Sequence, residues 1–351
     1  MKQNAIISQN GNIDEILPKI NNPNLLIYIT TEENLLKHTE EIKKNYPNIP
    51  SIGFVAIGYE ENKTCEKGLT VISFTDNIEV CTNVIEDIDK YPIKYIRRLE
   101  NDLKTINAES SNTVCFDICT GYDGRLVTTI NTMLSKQNIA LCGGTTSYNN
   151  IAVNGEIYEN ACGYALIKSN KGKIKVYKEN IYSPTDRRYI ATKVDSSNNY
   201  IYEIDNKPAK DIYMSELNIN EKEVETQTFK NPLGRLYGDE VYLISIADIQ
   251  EKALHCYKQV NLMDVLTIME INNYRDTVNE TISKIKNDFT NLNGLFSVNC
   301  LFRYYLFNNE NYWDEYLKNM NNLAYHTGFV GVGEHYCKQH INQTACIIAF
   351  E

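Results

Sequence analysis

The sequence predicts an α/β protein of two domains, built from repeated helix–strand–helix–strand–strand units with mixed sheets. Three observations predict it. A glycine-bearing segment recurs three times. Each copy is preceded by a short apolar strand and an amphipathic helix. Each is followed by a further apolar strand. Strands joined through helices are expected to pair in parallel, and the closing pair is expected to form a hairpin.

The glycine segments are PSIGFVAIGYE (50–60), ALCGGTTSYNN (140–150) and AYHTGFVGVGE (324–334). The first and third share Gly53-Phe54-Val55 and Gly328-Phe329-Val330, then Gly58 and Gly333 at equal offset; the middle copy keeps Gly143-Gly144. The strands before them are NLLIYIT (24–30), TVCFDIC (113–119) and GLFSVNC (294–300). They are rich in branched and aromatic residues and do not alternate cleanly, as buried strands do.

Between strand and glycine segment, a helical stripe is expected each time. Trp313, Tyr316, Leu317 and Met320 fall at i, i+3, i+4 and i+7. Leu126, Ile130, Met133 and Gln137 mark the corresponding face in the second copy. Leu35, Thr39, Ile42 and Tyr46 do so in the first, where Pro47 stops the helix. The closing strands are GLTVISF (68–74), ACGYALI (161–167) and TACIIAF (344–350). Further helices precede copies two and three, with stripes Ile96, Leu99, Leu103, Ile106 and Tyr274, Val278, Ile282, Ile285, Phe289. The copies lie about 90 and then about 185 residues apart, which excludes a tandem solenoid. Residues 170–260 read as strands at 173–180, 188–194, 199–205 and 240–247, with a helix over 207–217 and Pro208 in its first turn. A boundary is expected near Ser183-Pro184-Thr185.

Composition narrows the function. The 351 residues are 42% hydrophobic, too many for a disordered chain. A net charge of −10 argues against a general nucleic-acid binder, which needs a basic face. No apolar run is long enough to span a membrane, and the N-terminus lacks the pattern of a signal peptide. A cytoplasmic protein is expected, and the Asn, Lys and Ile content suggests an AT-rich bacterial source. Ten cysteines occur without any CxxC pair, so buried, reduced thiols are expected rather than disulfides or zinc.

Several segments carry a resemblance. YEIDNKPAKDIY (202–213), FSVNCLFRYYLF (296–307), GFVGVGEHYCKQHINQT (328–344), KNPLGRL (230–236) and the stretch from the middle glycine strand through NGEIYENACGYALI (154–167) stand in the order of the corresponding FIST motifs. Taken together they resemble the FIST family of sensory domains. The resemblance runs from about Asn24 to Phe350 and implies a FIST N-like domain at 24–184 and a FIST C-like domain at 185–350. Departures from the family pattern are Asn206 for Gly, Val330 for Thr, Val332 for Tyr and His335 for Ile; the first glycine copy, at Ile52–Val55, lacks the usual Thr-Gly-Glu character. The resemblance implies a cytosolic module that binds a small ligand, an amino acid or a derivative. It would signal to a partner such as a histidine kinase, diguanylate cyclase or chemoreceptor. A haem-binding nitric-oxide sensor, an enzyme using the same cleft and an interaction module without ligand are the alternatives; no other cofactor is expected. The chain ends just after the last family strand, so a stand-alone sensor or an excised input domain is expected.

The candidate ligand-binding residues are Arg303, Glu334, Gly328, Gly331, Gly333 and Asp117. Glycine backbone permits close approach of a ligand, or else tight packing or a bulge. A guanidinium fork fits a ligand carboxylate, and Glu334 matches the family's Glu and could hold an ammonium group. The plain alternative for Arg303 is an internal ion pair with Glu334 or Asp205, and for Asp117 a cap on the helix beginning near Gly124. The ligand is expected in a cleft between the halves, where the last glycine strand meets 296–307. Asp123 reads as an N-cap. His38, His255, His326, His335 and His340 form no haem or HExxH signature and read as surface or turn residues. No nucleophile–base order is evident, so no metal site, catalytic residue or enzyme activity is expected.

Overall fold

The computed structural model describes residues 1–238 and 240–351 and divides into two compact units. One comprises Met1–Glu179, Val278–His340 and Thr344–Glu351; the other comprises Asn180–Thr277 and Ile341–Gln343. The expected segments 24–184 and 185–350 divide the chain in sequence, whereas the first unit also takes up Val278–His340 and Thr344–Glu351.

The first unit holds three six-stranded sheets of mixed direction, and each is built on its own copy of one three-strand arrangement. Leu25–Thr30 runs parallel to Ser51–Val55 and antiparallel to Leu69–Thr75. Thr113–Cys119 runs parallel to Ala140–Thr145 and antiparallel to Cys162–Ser169. Gly294–Cys300 runs parallel to His326–Gly331 and antiparallel to Thr344–Phe350. The expected equivalence of the glycine strands therefore holds, and so does parallel pairing across the helices.

The closing hairpin does not form. Each closing strand pairs with the first strand of its repeat, on the side away from the glycine strand. The segment after each glycine strand instead forms a small hairpin in another sheet. Ile57–Glu60 pairs with Lys63–Cys65 and extends the third sheet by joining His326–Gly331. Asn150–Val153 and Glu156–Glu159 extend the first sheet along Ser51–Val55. Glu334–Tyr336 extends the second sheet along Ala140–Thr145. Each repeat thus lends an arm to a neighbour in a closed cycle of three. Every glycine strand gains a partner on its far side and is an interior strand of its sheet.

The helices pack as their stripes require. Leu35–Asn45 ends before Pro47 and buries Leu35, Thr39 and Ile42. Trp313–Leu323 buries Trp313, Tyr316, Leu317 and Met320. A separate helix, Leu301–Asn309, precedes it. In Asp123–Leu134 the buried face is Leu126, Val127, Ile130 and Leu134, while Met133 is only partly buried and Gln137 is exposed. The helix has ended by then, and Ser135–Gln137 winds as a tighter turn. Full burial of each large side chain contributes about 1.5–3 kcal/mol.

The second unit carries a nine-stranded antiparallel sheet with the helix Ala209–Leu217 against it. Strands Tyr189–Asp195, Tyr200–Ile204 and Glu240–Ile244 lie where the sequence suggests. Leu233–Tyr237, Ala253–Cys256 and Val265–Ile271 were not anticipated. Pro208 stands at the N-cap of its helix rather than in the first turn. Among the described residues no helix is long and apolar enough to cross a membrane.

Candidate functional site

Asp117 lies in the fully buried strand Thr113–Cys119. A carboxylate there is costly unless something receives it. Register supplies the answer. Asp117 stands opposite Gly143 on the parallel neighbour, and Gly143 stands opposite His335 on the next strand over. Neighbouring strands are about 4.8 Å apart, so two side chains meet across an intervening strand only when its residue is bare. A Cβ on Gly143 would lie 2.1 Å from Asp117 Oδ1 and 2.0 Å from the Asp117 carbonyl oxygen. Across this gap His335 Nδ1 lies 2.7 Å from Asp117 Oδ2. Both side chains are fully buried.

The other face of His335 completes a cluster. Its Nε2 lies 3.1 Å from Asp123 Oδ1 and 3.9 Å from Cys119 Sγ. The Cys119 thiol donates to Asp123 Oδ1 at 3.1 Å, and Thr145 Oγ1 donates to the same oxygen. His340 Nε2 stands 3.8 Å from Asp123 Oδ2. Asp123 opens the helix Asp123–Leu134, where the helix dipole favours a carboxylate. It does not act as the N-cap expected of it: Tyr122, in a left-handed conformation, occupies that position. The Asp123 and His340 side chains keep 16% and 14% of their surface, so the cluster reaches solvent on that side.

The charges follow from these contacts. Burial works against a charged His335, but the Asp117 charge and the hydrogen bonds the ring donates to both carboxylates hold its imidazole well above the usual range. Burial would raise the Asp123 carboxyl, yet His340 and His335 facing it keep it well below the usual carboxylate range. Burial and the Asp123 charge push the Cys119 thiol up to about 12. Cys119, His335 and Asp117 thus stand in the order of a thiol–imidazole–carboxylate relay, but the thiol is buried and protonated, unlike an activated nucleophile.

Arg303 and Glu334 are also fully buried. The Arg303 guanidinium forms an internal ion pair with Glu179 through Nη2, and Nε donates to Asn299 Oδ1 at 3.1 Å. Its plane also lies over the Phe307 ring, 4.5 Å from the centroid. Asn299 Nδ2 donates to Tyr59 OH at 2.9 Å, and Tyr59 reaches Ser297 at 2.7 Å. Ser297 Oγ meets His326 Nε2 at 2.7 Å. Arg303 thus has an internal partner, but it is Glu179, which the sequence reading did not consider beside Glu334 and Asp205. Glu334 Oε2 accepts from Thr344 N at 3.2 Å and Thr344 Oγ1 at 2.9 Å.

The glycine strand is bare for the protein's own groups. A Cβ on Gly328 would lie 1.9 Å from the Ser297 carbonyl oxygen and 2.5 Å from Tyr59 OH. At Gly331 it would lie 3.0 Å from the Thr145 carbonyl oxygen, and at Gly333 2.7 Å from His340 Nε2. Of the expected residues, Asp117 and Gly333 border the cluster. Asp117 does not cap the nearby helix; it orients His335.

Sequence reasoning missed Cys119, Asp123, His335 and His340 as a group. His38, His326 and His335, read as surface or turn residues, are fully buried. The available signals were Asp117 within an apolar strand and a polar His335 at a position where the resembled pattern has Ile. Residues 24–207 match the family model of the FIST N domain. No curated protein matches the chain.

Proposed function

The chain belongs to the FIST N domain family, and from that premise we propose that it is a cytosolic sensory protein that binds an amino acid or a related zwitterion in its first compact unit. It binds its ligand without transforming it and passes the bound state to a signalling partner such as a kinase, cyclase or chemoreceptor. One observation carries the ligand reading: the Asp123 carboxylate and the His340 and His335 imidazoles stand together where the cluster reaches solvent. Opposite charges held in place suit a ligand that bears both an ammonium and a carboxylate group. Groups fixed beforehand by Asp117 and Thr145 need little reordering on binding.

Signalling requires that the ligand bind one arrangement of the protein better than another. The test is a panel of the proteinogenic amino acids, added singly to the full chain in the presence of a chelator, with unfolding temperature as readout. At least one should stabilise the wild type, by roughly 2.7 kcal/mol at a hundred times its Kd. The same compound should stabilise Asp123→Asn far less. A panel that stabilises neither protein, or both equally, overturns the reading. An absorption scan of the same preparation tests haem through its Soret band.

A further inference from the structure

We propose that Cys119, Asp123 and His335, with His340 as a fourth donor, form a binding site for a zinc-type divalent transition-metal ion. The proposal concerns the same cluster as the sensory reading but needs no amino-acid ligand.

Geometry comes first. Cys119 Sγ, an Asp123 oxygen and a His335 nitrogen all lie within 4.8 Å of one another. The edges of that triangle are 3.1, 3.1 and 3.9 Å, and His340 Nε2 stands 3.8 Å from the other Asp123 oxygen. A tetrahedral ion with bonds of about 2.0 Å to nitrogen or oxygen and about 2.3 Å to sulfur spaces its donors by about 3.3–3.5 Å. The three donors of that triangle need to move by only a few tenths of an ångström, and His340 has to move further to join them. The two imidazole rings stand at 86° to each other, so they approach the common point from different directions.

Donor chemistry agrees. One sulfur, one carboxylate oxygen and two imidazoles form a set suited to zinc, cobalt or iron(II), not to the all-oxygen shells of magnesium or calcium. A thiolate and a carboxylate balance the two charges of the ion. The cluster sits outside the CxxC and HExxH patterns, because the fold assembles it from two segments far apart in sequence, 119–123 and 335–340.

The surroundings are built for a ligand as well. A metal-bound histidine commonly has its other nitrogen held by a carboxylate. Asp117 holds His335 Nδ1 in this way and aims Nε2 into the cluster. Asp117 Oδ1 has no hydrogen-bond partner among the described residues, so the carboxylate is committed to that one histidine and to the Cys162 thiol beside it. Two glycines make the room: Gly143 for Asp117 and Gly333 for His340. Both belong to the glycine segments that recur in the sequence.

The test uses cobalt(II) as the probe. Full-length protein is stripped with a chelator, dialysed free of it and titrated with cobalt in the absence of amino acids. One equivalent should give tetrahedral d–d bands with a thiolate-to-cobalt charge-transfer band, and zinc should abolish both. Cys119→Ser should lose the charge-transfer band. His335→Gln and Asp123→Asn should bind at least tenfold more weakly. Asp117→Asn, which leaves every donor in place, should weaken binding by about 10–100-fold. His340→Gln, at the solvent-facing side, serves if the buried variants fail to fold, and it should also bind more weakly. Absence of a charge-transfer band in the wild type, or the same band and affinity in Cys119→Ser and His340→Gln, overturns the proposal. The amino-acid panel is run with chelator present, so its failure and that of the cobalt titration are separate results.

Discussion

Replacing Arg303 by Ala leaves Glu179 charged and buried without its counter-ion. Both side chains are fully excluded from solvent, so screening by water does not soften the loss. Breaking such a pair from one side costs about 3–5 kcal/mol. Loss of the packing on Phe307 and of the bond to Asn299 acts in the same direction. For a domain of roughly 250 residues, that corresponds to a fall in Tm of about 6–20 °C. Replacing both partners by apolar residues, as Arg303→Met with Glu179→Leu, removes the uncompensated charge and should recover most of the loss. Thermal unfolding of the three variants beside the wild type measures this. If Arg303→Ala melts like the wild type, the network is not structural, and the guanidinium is available for a ligand carboxylate.

Three further outcomes follow from the packing. Burial holds the His326 imidazole at about 3, whereas an unfolded histidine titrates near 6.5. The unfolded chain therefore takes up the proton first, and the contribution of neutral His326, complete above about pH 6.5, is lost as pH falls below it. The His335 contribution has the opposite sign: it is complete below about pH 6.5 and is lost as pH rises through its raised folded value. Denaturant midpoints between pH 7 and 5 should therefore fall less steeply in His326→Gln than in the wild type; equal slopes would contradict the assignment. Gly143→Ala places a Cβ 2.0 Å from the Asp117 carbonyl oxygen and should destabilise by about 1–3 kcal/mol, and an unchanged Tm would refute the close approach. Only Cys81 and Cys337 of the ten cysteines are partly exposed, so thiol titration should find at most two groups in native protein and ten after denaturation.

The repeat was legible because it rests on local pattern. Apolar strands, helical stripes and paired glycines recur in the same order, and each is a short-range consequence of burial. The exchange of hairpin arms was not legible. Residues 57–60 alternate as well as any strand, but their partner is His326–Gly331, at the far end of the sequence. Pairing over such separations leaves no trace in spacing. The same holds for the site. His335 and Asp117 lie 218 positions apart and meet only because Gly143 separates them on the middle strand. Arg303 stands out as a guanidinium just after a strand, yet the choice between a ligand and an internal partner depends on Glu179, 124 positions away. Asp123 looked like a helix cap because its position at a helix start is the local signal; its contacts with Cys119, Thr145 and His335 are not local.

Ring-labelled histidine offers the most direct test that the Asp117–His335–Asp123 cluster is the ligand site. The five histidines report on four places. His38 sits by Thr30 in the first sheet, and His255 lies in the second unit. His326 belongs to the Ser297 network, while His335 and His340 face Asp123. Nuclear magnetic resonance of the labelled imidazoles is recorded while the stabilising amino acid from the panel is titrated in with chelator present. The account predicts that the His335 and His340 signals move together and saturate, with His38, His255 and His326 unmoved. A titration that shifts His255 or His326 and leaves His335 and His340 in place would contradict it.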